Sequence, residues 1–331
     1  MIKISKERLL KLKKRFSGQK IAVIGDMMLD CYYWGDVKRV SPEAPVPVVE
    51  VENEFYRFGG AANVALNIKK LGGTPIPLGV IGYDNEGSIF SSLIAEENIT
   101  ATGLVIDENR PTTSKARVIA HNQHVVRIDK EKKNPVDPEI SKKLMGYFIG
   151  IVDELDGIIL QDYNKGVLTS SFIKKIIRLA RAKNKLITVD PKFNNFFEYK
   201  NVTVFKPNRK EASDVLGYRI KSDEDISLAG QKLLNKLHAK YVLLTLGEEG
   251  IAVFEKEKEE RRMPTKARKV ADVSGAGDTV ISTLTMALAA GADILEASYL
   301  ANYAAGIVCG EVGIVPIKLD ELFSIVMKEN K

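Results

Sequence analysis

The sequence predicts an α/β fold: a central, mostly parallel sheet with helices on both faces, plus a small β-strand lid. Short β-type runs alternate with longer helical patterns along most of the 331 residues. Strands joined by helices lie parallel, and a parallel sheet is covered on both faces. Two stretches break the rhythm. "APVPVVEVENEFYRFGG" (44–60) and "TTSKARVIAHNQHVVRIDKE" (112–131) alternate apolar and polar residues with no long helix between their runs. They are the predicted lid segments of one domain spanning 1–331.

The elements follow in order. "KIAVIGD" (20–26) reads as a buried strand. "AANVALNIKKLGG" (61–73) puts Val64, Leu66, Ile68 and Leu71 near helical spacing and stops at Gly72-Gly73, a helix C-terminal signal. "PIPLGVIG" (75–82) is the next strand, and "EGSIFSSLIAEEN" (86–98) a helix with Ile89, Leu93 and Ile94 on one face. The alternation continues through strand "GIILQD" (157–162), helix "SSFIKKIIRLARAKN" (170–184), strand "KLITVD" (185–190), strand "VTVFKPN" (202–208), a helix over 223–238 and strand "YVLLTLG" (241–247). The charge run "FEKEKEERR" (254–262) reads as a solvated hairpin or turn.

Bulk properties bound the chemistry. Hydrophobic content of 45% and charged content of 28% are those of a soluble globular protein. No run approaches the roughly 18 apolar residues of a membrane span. The basic N-terminal stretch lacks the apolar core of a signal peptide and reads as a surface helix. Cys31 and Cys309 make no disulfide framework and fit a reducing cytoplasm. The net charge of +6 permits contact with anions but is spread along the chain without a zinc-finger or RNA-binding pattern; it does not single out nucleic acid, a phosphorylated small molecule explains it equally well, and no nucleic-acid or membrane partner is expected.

The chemistry concentrates in "DVSGAGDT" (272–279). There is no Gly-Lys pair for a Walker A loop, and the one G-x-G, Gly275-x-Gly277, is followed by Val280 where a dinucleotide fingerprint needs a third glycine. Gly275, Ala276 and Gly277 instead expose backbone N–H groups that converge on one point, at the positive end of the helix that follows. Such a cradle stabilises charge developing in a transition state. Asp278 inside it suits a base that takes a proton from a hydroxyl attacking phosphorus. Taken alone, Asp278 serves equally as a helix N-cap. In "KPNRKE" (206–211), Asn208 and Glu211 stand where magnesium or its waters could be held, or form a capping box. In "TLGEEG" (245–250), Gly247 and Gly250 let a nucleotide lie on backbone, or make a hairpin turn. "FGGAAN" (58–63) is another bare turn, with Asn63 as a polar reader.

In this order, from about Ile21 to Pro316, these residues resemble the ribokinase-like (PfkB) carbohydrate kinases; "GGAANVALNIKKLGG" and "DVSGAGDT" match the two family signatures. The resemblance implies ATP and Mg2+ as cofactors, with K+ or another monovalent cation. It implies Asp278 as catalytic base with Gly275, Ala276 and Gly277 as anion hole. Asp30, Gly59, Gly60 and Asn63 become sugar contacts, and Asn208 and Glu211 phosphate and magnesium positions. Thr245, Gly247, Gly250 and Asn302 become nucleotide contacts. Asp272 and Ser274 match a monovalent-cation loop closed near Gly313.

"GDMMLDCYYWGDVKRVSPEAPVPVV", "NQHVVRID", "QDYNKGVL" and "VDPK" are similar to the branch of that family that phosphorylates D-glycero-β-D-manno-heptose 7-phosphate on O1 for ADP-heptose and lipopolysaccharide core. Arg117, Lys165 and Lys192 are the candidate cations for its distal phosphate. With only His121, His124 and His238, the chain lacks the H-x-G-H motif of the nucleotidyltransferase often fused to such kinases, so a separate transferase is expected downstream. A homodimer pairing the lid strands is expected. Kinases of fructose 1-phosphate-like or ribose-like sugars share these motifs. A catalytically silent sugar- or nucleotide-binding regulator would have no use for intact Asp278, Asn208 and Glu211.

Overall fold

The computed structural model describes residues 3–121, 123–266, 271–311 and 313–329; Asn122, inside the second lid segment, lies outside them. The chain runs α1 (Lys6–Phe16), β1 (Lys20–Gly25), β2 (Met27–Val40), β3 (Pro47–Gly59), α2 (Gly60–Lys70), β4 (Thr74–Gly82), α3 (Asn85–Glu96) and β5 (Leu104–Asp107). Then come β6 (Ser114–Ala120), β7 (Gln123–Lys130), α4 (Pro138–Ile151), β8 (Gly157–Gln161), α5 (Ser170–Ala182), β9 (Leu186–Asp190) and β10 (Val204–Phe205). The last part is α6 (Arg209–Leu216), α7 (Asp223–Leu237), β11 (Tyr241–Thr245), β12 (Ile251–Glu255), β13 (Arg261–Met263), α8 (Ala276–Ala289), α9 (Ile294–Val308) and α10 (Leu319–Glu329).

The apolar strands build a nine-stranded sheet in the order β13-β12-β11-β10-β9-β8-β1-β4-β5. From β5 to β11 every neighbouring pair is parallel; β12 and β13 add an antiparallel edge. Two apolar layers cover its faces. One contains Leu284 of α8 and Leu300 of α9, the other Ile176 of α5 and Leu233 of α7. The chain leaves β1 toward β4 and β5, then returns to pair β8 on the other side of β1. That reversal opens a crevice at the carboxyl ends of the central strands, where α/β sheets bind ligands.

A second, four-stranded sheet has the order β3-β2-β6-β7. It contains both expected lid segments and also Met27–Val40, which they omitted. The reason is burial: the first six residues of β2 are covered on both faces, so the apolar run hides the period of two that marks a half-exposed strand. The β12–β13 connection is the hairpin expected at 254–262. The strand expected over 202–208 is reduced to Val204 and Phe205, with an isolated parallel bridge from Asn208 to Thr245. α1 exposes its basic face as expected, while Leu9, Leu12 and Phe16 enter the core and Phe16 meets Phe323 edge-on at 5.4 Å. Among the described residues, no helix is long and apolar enough to cross a membrane.

Candidate active site

Gly275 is the N-cap of α8, with φ 78° in the left-handed region that an L side chain rarely adopts. Asp278 therefore sits inside the first turn, and the N-cap role open to it in the sequence is not the one it takes. It is only 5% exposed. Three donors meet its carboxylate. Asn63 Nδ2 donates to Oδ2 at 2.8 Å; Tyr163 OH and Gln161 Nε2 donate to Oδ1 at 2.8 and 3.0 Å. Burial pushes its pKa up and nearby Asp190 adds to this, while the Asn63 and Tyr163 bonds and Lys206 oppose it; the result is about 6. Such a carboxylate is ionised at neutral pH and basic enough to accept a proton.

The central strands supply its surroundings. Asp190 closes β9 and Lys206 follows β10; both are buried, with Lys206 Nζ 3.0 Å from Asp190 Oδ2. Gln161, closing β8, spans Asp190 at 3.2 Å and Asp278. A Cβ added to Gly277 would lie 3.7 Å from Lys206 Nζ and 3.8 Å from Asp190 Oδ2, so the bare cradle opens onto this ion pair. Tyr163 is fixed by its backbone: the N–H groups of Tyr163, Lys165 and Val167 all donate to Asp26, which follows β1. Burial raises the Tyr163 hydroxyl well above its ordinary pKa, so it stays a proton donor. Neither Lys206 and Asp190 nor Gln161 and Tyr163 stood out in the sequence as site residues. The signal available was a polar residue at or just past the end of each apolar strand.

On one side of the cradle lies a cavity of about 640 Å³. Asn208, Thr245, Gly247, Gly250, Ala276, Gly277 and Asn302 line it together, with Val280, Ile251 and Cys309 supplying apolar wall. These residues are scattered over about a hundred positions of sequence; among them are the expected nucleotide and phosphate contacts Asn208, Thr245, Gly247, Gly250 and Asn302, beside Ala276 and Gly277 of the expected anion hole. Gly247 and Gly250 also form the β11–β12 turn, both with positive φ. Glu211 stands back from this wall. It and Asn208 form a full capping box on α6, and Glu211 also pairs with Lys192.

On the other side the expected sugar contacts gather near the second sheet. Asp30 pairs with Arg117 at 2.5 Å. Gly59 is bare because a Cβ there would come within 2.6 Å of Asp30 Oδ2. Gly60 takes φ 56° and starts α2. Asn63 donates one amide hydrogen to Asp278, which places it at the carboxylate as well as on the sugar side. Each of the three candidate phosphate cations is paired with a carboxylate. Arg117 holds Asp30, Lys165 lies 2.5 Å from Glu131, and Lys192 holds Glu211. Behind the cradle, Asp272 accepts from Ser274 N at 2.8 Å and Gly313 N at 3.1 Å. Burial works to raise its pKa, but these amides and the Ser274 side chain outweigh it and hold the carboxyl below its ordinary value. Ser274 itself is exposed.

A buried carboxylate beside a bare glycine turn, between a cavity of nucleotide size and a charged sheet face, is an arrangement that suits phosphoryl transfer. The sequence profile described as pfkB family carbohydrate kinase matches residues 18–319, and the chain belongs to that family of ATP-using sugar kinases. Among curated relatives, it is 43% identical over 304 residues to the bifunctional protein HldE of Helicobacter pylori strain 26695, covering 92% of this chain and 66% of that protein. It is 41% identical over 307 residues to the bifunctional protein HldE of Desulfatibacillum aliphaticivorans, covering 93% and 63%. The chain thus spans about two thirds of the length of these relatives. Solved structures agree on the fold. Escherichia coli phosphofructokinase-2 in complex with potassium superposes with TM-score 0.78 at 20% identity, over 95% of this chain and 100% of that one. Arabidopsis thaliana ribokinase complexed with ribose and ATP gives 0.74 at 18%, over 94% and 99%.

Proposed function

We propose that this carbohydrate kinase transfers the γ-phosphoryl group of ATP to O1 of D-glycero-β-D-manno-heptose 7-phosphate, giving the 1,7-bisphosphate for ADP-heptose and lipopolysaccharide core. The observation that carries the chemistry is the buried, three-donor carboxylate of Asp278 at the seam between the two clefts. The acceptor hydroxyl gives its proton to Asp278 as its oxygen bonds to the γ-phosphorus. The bond from phosphorus to the β–γ bridging oxygen breaks, and ADP leaves with the electron pair. The amides of Gly275 and Gly277, with Lys206, face the charge on the transferring group, while the Ala276 amide, expected to join them, donates to the carbonyl of Val273 at 3.3 Å. The heptose acceptor is supported by the segment resemblance and by the relatives named HldE. Phosphorylation of a heptose implies a nucleotidyl-transfer step downstream, on a separate protein or on a further part of this one.

Magnesium, bound with ATP, would neutralise phosphate charge. Among the described residues no cluster of three acidic, His or Cys side chains could hold a metal alone. An ion carried with ATP is held mainly by phosphate oxygens and water, and Glu211, beside Asn208 at the start of α6, would assist it through water. Asp272, with the Ser274 and Gly313 segments tied to it, is the place for a monovalent cation, as expected from the family and from the potassium complex of phosphofructokinase-2. The second sheet acts as a lid over the sugar within one kinase unit. Its exposed edge strands, β3 and β7, offer the pairing surface of a homodimer. The two free, buried cysteines suit a cytoplasmic enzyme.

A coupled ADP-release assay over a panel of sugars and sugar phosphates, with and without potassium, tests the reading. Heptose 7-phosphate is expected to give the highest kcat/KM; a free sugar or fructose 1-phosphate in that place overturns the substrate. Asp278→Asn is expected to lose about 10²- to 10⁴-fold in kcat while ATP still binds; near-normal turnover removes Asp278 as the base.

A further inference from the structure

One face of the second sheet is strongly charged. Register places Asp30 and Tyr32 of β2, Phe55 and Arg57 of β3, Lys115 and Arg117 of β6, and Arg127 and Asp129 of β7 on that face. It looks onto the start of α2, where Gly59 leaves room for the Asp30 carboxylate. Its guanidinium groups are all committed. Arg117 holds Asp30, and Arg127 Nε lies 2.9 Å from Asp129. Arg57 donates to the carbonyl of Ile314 at 2.7 Å and lies over the rings of Phe55 and Tyr32. Lys165, from the loop that carries Tyr163, holds Glu131. The half-buried ammonium of Lys115 has neither an ion pair nor a hydrogen bond among the described residues. Burial and the neighbouring charge of Lys165 hold its pKa below the ordinary lysine value, against the pull of Asp30 and Asp129 and with Arg127 adding to the repulsion. A cation half out of water, with carboxylates near but no direct ion pair and with like charge beside it, is poorly compensated in the empty protein and better compensated once an anion arrives.

We infer that Lys115 receives the phosphoryl group that the acceptor sugar already carries, and so sets the preference for a sugar phosphate over the free sugar. The inference rests on the kinase reading above and replaces Arg117, Lys165 and Lys192 as the primary phosphate contact. The phosphates of ATP are the other source of such an anion, but the cavity that gathers the nucleotide contacts is lined by no residue of the second sheet.

Calorimetric binding and steady-state ADP release test this, using heptose 7-phosphate and the same heptose without phosphate, on wild type, Lys115→Met and Lys115→Arg. Lys115→Met is expected to raise Kd and KM for heptose 7-phosphate about ten- to a hundredfold, the worth of one charge-assisted hydrogen bond. Its kcat, its KM for ATP, its affinity for free heptose and its melting temperature are expected to match wild type, and Lys115→Arg to regain most of the loss. An unchanged Kd for heptose 7-phosphate overturns the inference. So does an equal loss for both sugars, or a loss that falls on ATP. If wild type binds heptose 7-phosphate through Lys115 without phosphorylating it, the kinase reading for that sugar falls and the contact stands. If wild type binds neither sugar, both fall.

Discussion

The two sides of Asp278, proposed as the nucleotide and sugar sides, differ in the physics they offer a ligand. The nucleotide side is a cavity walled by small residues, backbone and aliphatic side chains: Gly247, Gly250, Ala276, Gly277, Val280 and Ile251 among them. It selects by shape and by backbone hydrogen bonding, which suits a flat base and a phosphate chain common to many enzymes. The sugar side is a sheet face of paired charges with one ammonium left over. It selects by charge, and each pair there holds its neighbour in place. Substrate choice within one fold can therefore change on the second sheet while the cradle and cavity stay as they are.

Two substitutions between these regions probe that division. The larger effect is expected from Lys206→Met, which leaves Asp190 buried without its cation. Unfolding free energy at neutral pH should fall by about 3–5 kcal/mol, read by denaturant titration. A loss within error would show that Gln161 alone satisfies Asp190. A smaller effect, on rate only, is expected from Gly277→Ala. The new methyl has ordinary contact distances to Lys206 and Asp190, so melting should hold or rise. It also occupies the space where the transferring group meets the cradle, and kcat should drop by about tenfold or more. Unchanged kcat would place the transferring group elsewhere along α8.

Much of this was legible in the sequence because it is local. The bare loop before α8, the glycines of the β11–β12 turn and the Asn208–Glu211 spacing each announce a backbone conformation, and all of them lie at or beside the cleft. What sequence could not give is pairing across the fold. Arg117, Lys165 and Lys192 have the right chemistry for a phosphate, but Asp30, Glu131 and Glu211 reach them first. The packing of α2 against α8, which sets Asn63 on Asp278, was likewise invisible in the sequence. β2 was missed because burial on both faces erased its alternation. Gln161, Tyr163, Asp190 and Lys206 became site residues only when parallel register brought three strand ends level.

The central claim is that Asp278 is a base held near neutrality by burial working against three hydrogen bonds. It is tested most directly by the pH dependence of kcat/KM for wild type and Tyr163→Phe. The proton must go to an ionised carboxylate, so kcat/KM should fall as pH drops through about 6. The Tyr163 hydroxyl stabilises the ionised form, so its removal should move that acidic limb upward by about one unit. A limb that stays in place in Tyr163→Phe, or a wild-type profile flat through this range, would contradict the assignment.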